Sequence, residues 1–188
     1  MRWFKRHFNG KPSSSALTLP KITLADASKI LDVSSDLPAN FKRLDTASEG
    51  LSREAWGLGP SWSETALFFS ENPLQRICAF LTIIESPVKR DSADAIFKDE
   101  KGFRLWVLGI FREELAKRGI EFTTSNMQVT YPKVGDAAVL GSNGGWNVLI
   151  FRTGKVYVIV ISIHLPGEHQ PLLYLAGGIV QRIGLFSQ

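Results

Sequence analysis

A single cysteine, Cys78, rules out an intramolecular disulfide framework, and its place inside an apolar run reads as a small core residue. A reducing compartment fits. No apolar run approaches the roughly 20 residues that span a bilayer, so no transmembrane helix is expected. The net charge of +4 comes entirely from Arg2, Lys5, Arg6 and Lys11; acids and bases balance over the rest of the chain. A neutral body offers no electrostatic footprint for a nucleic acid, and that partner class is set aside. Internal repeats and low-complexity tracts are also missing. With 44% hydrophobic and 21% charged residues in 188, the composition is that of a globular protein able to bury a core without disulfides or metal. One domain over residues 16–188 is expected, preceded by a basic, aromatic tail and linker over residues 1–15.

What is present centres on residues 146–164, two β-branched and aromatic runs that read as long strands joined at Thr153-Gly154. Pairing Arg152 with Lys155 puts Trp146, Val148, Ile150, Tyr157, Ile159, Ile161 and Ile163 on one face. Asn147, Leu149, Phe151, Val156, Val158, Val160, Ser162 and His164 take the other. A hairpin with one wet face would alternate apolar and polar residues, whereas both faces here are apolar. Cover on both sides is implied, and with it an α+β fold: an α/β/α sandwich with a central, largely antiparallel sheet.

The remaining segments supply the cover and the other strands. Arg2, Trp3, Phe4, Lys5, Arg6 and Phe8 read either as an unstructured terminus or as a short interfacial anchor with its aromatic side towards lipid. No apolar stretch follows to make a secretory signal, so the expected location is cytoplasmic, with weak membrane-surface contact as the open alternative. Thr23 and Asp26 resemble a capping box for a helix showing Leu24, Ala27, Ile30 and Leu31, and Phe41–Leu44 suits an edge strand. Thr46 and Glu49 open a second helix that ends in Gly57-Leu-Gly-Pro60, between Trp56 and Trp62. Residues 62–69 and 75–85 form a second hairpin. A helix starting at Asp91 or Asp94 is interrupted at Lys98–Gly102. Beyond the break, Phe103–Lys117 is apolar on nearly every side, which predicts an interior helix. Glu121–Tyr131 is a strand with many polar positions, either exposed on one face or at an edge, and Ala137–Leu140 a short strand. The last helix carries Leu172, Leu175, Ala176, Ile179, Ile183 and Phe186 at helical spacing. Its Gly177-Gly178 suggests close approach to the sheet.

Chemistry-bearing clusters are few. His164-Leu-Pro-Gly-Glu-His169 holds metal-type ligands, but Pro166-Gly167 prevents the helix that zinc motifs of this kind need, and no third ligand is evident. Ser162 and His164 share a face with Asn147 nearby, a nominal nucleophile and base without an orienting carboxylate or a strained elbow. Gly141-Ser-Asn-Gly-Gly145 lacks the Lys-Ser/Thr of a phosphate loop and reads as a connection. No metal and no cofactor is expected. Trp56 and Trp62 read either as core or as the flanks of a groove or partner-binding patch.

Met127–Ala138 (Met-Gln-Val-Thr-Tyr-Pro-Lys-Val-Gly-Asp-Ala-Ala), the hairpin Phe151-Arg-Thr-Gly-Lys-Val156 and a closing helix with Leu175-Ala and Gln181-Arg-Ile resemble the C-terminal half of the PsbP-like α/β/α sandwiches. That group includes photosystem accessory proteins, a Ran-binding nuclear-import factor and many bacterial proteins of unknown role. The resemblance covers about 60 residues and implies a central antiparallel sheet without shared catalytic residues. The first functional expectation is a non-enzymatic binding or assembly module with a protein partner, touched through Trp56 and Trp62. The alternatives are an enzyme or carrier with a small-ligand pocket near Asn147, Ser162 and His164, and a membrane-peripheral protein held by residues 1–8.

Overall fold

The hairpin forms as β6 (Trp146–Thr153) and β7 (Val156–Ile163), whose β-branched and aromatic side chains suit a pleated surface packed on both sides. The computed structural model describes residues 22, 24–32, 37, 41–44, 64–71, 74–84, 86–117, 124–163 and 170–186. Ahead of the hairpin lie α1 (Leu24–Ile30), β1 (Lys42–Leu44), β2 (Glu64–Glu71), β3 (Leu74–Ile83), α2 (Pro87–Asp94), a 3-10 turn (Ala95–Phe97), α3 (Glu100–Lys117), β4 (Gln128–Thr130) and β5 (Ala137–Ser142). After it comes α4 (Gln170–Phe186). The described strands make one seven-stranded sheet, β1-β2-β3-β7-β6-β5-β4, with every pair antiparallel. No described helix is long and apolar enough to cross a membrane.

Alternation along the central strands decides the layers. Leu149, Phe151, Val158 and Val160 meet Ala27 and Ile30 of α1, Leu31 just beyond it, and Leu172, Leu175, Ala176, Ile179 and Ile183 of α4. Val148, Ile150, Ile159 and Ile161 meet Phe103 and Val107 of α3 and Met127. The fold is the expected sandwich, with helices on both faces. Cys78 is buried among the second set, and Trp106 is partly buried against it.

Four local expectations are corrected. The hairpin register pairs Thr153 with Val156 and Arg152 with Tyr157, so the turn is Gly154-Lys155 rather than Thr153-Gly154. Gly154 takes φ +59°, the left-handed conformation a glycine reaches without penalty. A slip of two residues leaves every side chain on its predicted face, because the strand repeat is two. The first helix of its pair starts at Pro87 rather than at Asp91 or Asp94, proline being suited to a first turn whose N–H groups lack helical partners. Along α3, Phe103 and Val107 are fully buried while Leu105 is 60% exposed, so this helix lies on the sheet instead of inside the molecule. Finally, a Cβ placed on Gly177 would meet nothing within 4 Å; that glycine faces outwards and does not serve close approach to the sheet.

Candidate functional site

Three arrangements could carry function, and the first is the pair singled out by sequence. Asn147 and Ser162 face each other in the β6–β7 register, and Asn147 Nδ2 donates to Ser162 Oγ at 3.1 Å. Asn147 is 2% exposed and Ser162 fully buried, beside Leu149 and Val160 of the α1–α4 layer. Ser142, the register partner of Asn147 on β5, extends the polar row. An amide and a hydroxyl that satisfy each other in a dry layer serve the sheet; neither side chain lines either cleft described below. Trp56, Trp62, His164 and the tail residues Arg2, Trp3, Phe4, Lys5, Arg6 and Phe8 lie outside the described residues.

The second arrangement sits at the turn end of the same hairpin. Tyr157 Oη donates to Asp94 Oδ1 at 2.7 Å, and Arg152 Nε lies 3.1 Å from that same oxygen. Arg152 Nη1 reaches Asp136 Oδ2 at 3.5 Å, and Asp136 in turn accepts the Gly154 N–H at 2.7 Å. Phe97 stacks on the Tyr157 ring with centroids 6.4 Å apart. The end of α2, the 3-10 turn, the β6–β7 turn and the start of β5 are therefore tied together through Tyr157, Asp94 and Arg152. Neither the charged pairs nor the phenol was legible in the sequence as a cluster; the only signal was a polar end to two apolar strands.

The chemistry of this cluster is that of a clamp. Burial, then the hydrogen bond to Asp94 and its negative charge, push the Tyr157 phenol up to about 12 against the smaller opposing influence of Arg152 and Arg90. Such a phenol keeps its proton near neutrality and is neither a base nor a nucleophile there. In the unfolded chain it would ionise near its ordinary value of 10, so its contribution to stability is complete below pH 10 and disappears as pH rises towards 12. Tyr157→Phe is expected to cost about 1 kcal/mol at neutral pH and to flatten the alkaline fall in stability. Urea unfolding of both proteins over an alkaline pH series checks this; an equally steep fall in the variant would assign it to other groups.

The third arrangement lies on the outer side of α4. One cleft of about 360 Å³ runs between Leu173, Gly177, Val180 and Gln181 and the loop Pro132–Gly135. A second of the same volume adjoins it, sharing Leu173, Gly177 and Gln181 and adding Tyr174 and Gly178. Tyr174 and Leu185 stand 70% and 71% exposed on this helix, and Arg182 is the only charged residue among its 17. A helix lying on a sheet ordinarily shows water a polar, charged face; this one shows glycines, a tyrosine, a leucine and the uncharged Gln181. The signal was present in the sequence, as Gly177-Gly178 beside Tyr174 in a helix nearly free of charge, and pointed outwards instead of inwards. Comparison of the chain with protein-family models, with curated proteins and with solved structures found no match.

Proposed function

We propose that the chain is a non-enzymatic binding or assembly module whose contact surface is the outer side of α4 together with the loop Pro132–Gly135. The observation that carries this reading is the uncharged, cleft-bearing face of α4 with Tyr174 exposed beside the cleft. The polar groups best suited to chemistry support it from the other side, because Asn147 donates to Ser162, and Tyr157 to Asp94, within the fold. An exposed aromatic side chain beside a surface cleft is a usual anchor of a protein contact. The resemblance to PsbP-like sandwiches points the same way, towards accessory roles performed by a surface.

A photo-crosslinking residue at position 174 tests the reading in cells of the source organism, with position 101 on α3 as the control. A discrete adduct from position 174 that disappears when Gly177→Arg closes the cleft is the expected result. Equal labelling from both positions, or none from 174, would remove the proposed surface.

A further inference from the structure

The cleft does not end at α4. Its loop, Pro132–Gly135, is the chain leaving β4, the last described strand on that side of the sheet. No described strand pairs with the outer side of β4, so alternate N–H and C=O groups of Gln128–Thr130 point away from β5. Gln128 and Thr130 are exposed, and residues 124–131 contain no Lys, Arg, Asp or Glu. Exposed sheet edges are normally defended by shortness, by charge, by proline within the strand or by a bulge; β4 is short, three residues, but has no charge and meets proline only after it ends, at Pro132, so added pairing must extend along the uncharged stretch 124–131. Register gives direction to this edge. Gln128 and Thr130 stand opposite Ser142 and Leu140, hence on the α4 side, while Val129 stands opposite Gly141 on the α3 side. The loop ahead of β4 is pinned by Arg104 Nη1, which donates to Thr124 O at 2.5 Å.

We infer that β4 is a docking strand for an extended segment of a partner protein, which adds to the sheet edge and delivers one apolar side chain into the cleft. The inference rests on the binding-module reading and names the mode of binding. Main-chain hydrogen bonds to β4 supply affinity, and alternate side chains of the added strand project to the α4 side, where the cleft opens. The chemistry of the occupant follows from the lining. Pro132, Val134, Leu173 and Val180 with the bare Gly177 accept a large aliphatic or aromatic side chain. Lys133 is exposed and is the only charged residue of the lining, so an acidic residue beside the apolar anchor completes the motif.

A displayed library of random dodecapeptides, screened against the whole chain, is the probe. Selected peptides should share an apolar residue followed within about two positions by Asp or Glu, the spacing of one strand face. Bound peptide should slow amide exchange within Gln128–Tyr131, as read by NMR. Gly177→Phe should weaken binding about tenfold, whereas Gly177→Ala, which leaves room in the cleft, should bind almost as the parent does. A library that yields no binder overturns the inference. Binders that leave β4 exchange unchanged overturn it too, while keeping α4 as a contact surface; the crosslink at position 174 judges that surface independently. A concentration-dependent dimer in sedimentation that protects the β4 amides without peptide would make a second copy the occupant and would also defeat it.

Discussion

Gly141→Val should lower the stability of the fold by about 3 kcal/mol, the upper end of the range for overpacking a dense core. Propensity alone argues for the opposite sign, since valine suits a strand and glycine weakens one. Packing decides. A Cβ at this position would lie 2.7 Å from Met127 Sδ and 2.9 Å from Phe103 Cε1. Phe103 is fully buried and Met127 is 2% exposed, so neither can withdraw into water, and both belong to the same buried cluster as Val148 and Ile150. Gly177→Ala in α4 is the contrast. Nothing lies within 4 Å of its Cβ, and a helical glycine replaced by alanine should gain roughly 0.5–1 kcal/mol. Urea unfolding of the two variants beside the parent measures both effects. A Gly141→Val protein as stable as the parent would show that Met127 and Phe103 can move, and would weaken the account of how β4 is seated beside β5.

Asn147→Ala should cost about 2 kcal/mol, because it strands the fully buried Ser162 hydroxyl and opens a small void. Ser162→Ala alone should cost less, since it removes a single oxygen and leaves a smaller void than loss of the whole Asn147 amide. Removing both partners should cost less than the two single losses combined, a coupling that a double-mutant cycle reads directly. The same cycle judges the ligand-pocket reading of Asn147 and Ser162. Groups kept for a ligand are commonly neutral or stabilising when replaced in the free protein. Near-zero changes for both single variants, with no coupling, would therefore favour a pocket and count against a structural pair.

The hairpin shows how much could be read in advance. Its two faces were legible because side chains alternate with a period of two, and the error of two residues in register left Tyr157, Ile159 and Ile161 on one face and Val158, Val160 and Ser162 on the other. The helix carrying Leu172, Leu175, Ala176, Ile179 and Ile183 was legible for the same kind of reason, a stripe at 3.6 residues per turn. The edge strand was legible from its polar positions, although it is shorter than Glu121–Tyr131. In contrast, α3 misled. An apolar sequence on nearly every side looks like an interior helix, yet Leu105 faces outwards. Periodicity reports which side chains want burial and is silent on how much of the helix the neighbouring layer can cover.

The sequence by itself determined the sandwich: two apolar faces on the central strands, one apolar stripe on the closing helix, and too few charges in either to stand in water. Local periodicity is enough for that, since it depends only on backbone geometry. Only the tertiary structure decided the candidate site. Tyr157 meets Asp94 across 63 residues of chain, and Pro132–Gly135 meets Leu173–Gln181 because β5, β6 and β7 carry the chain across the sheet before α4 folds back over β6 and β7. Contacts of that separation are set by strand order and layer packing, which no local pattern encodes.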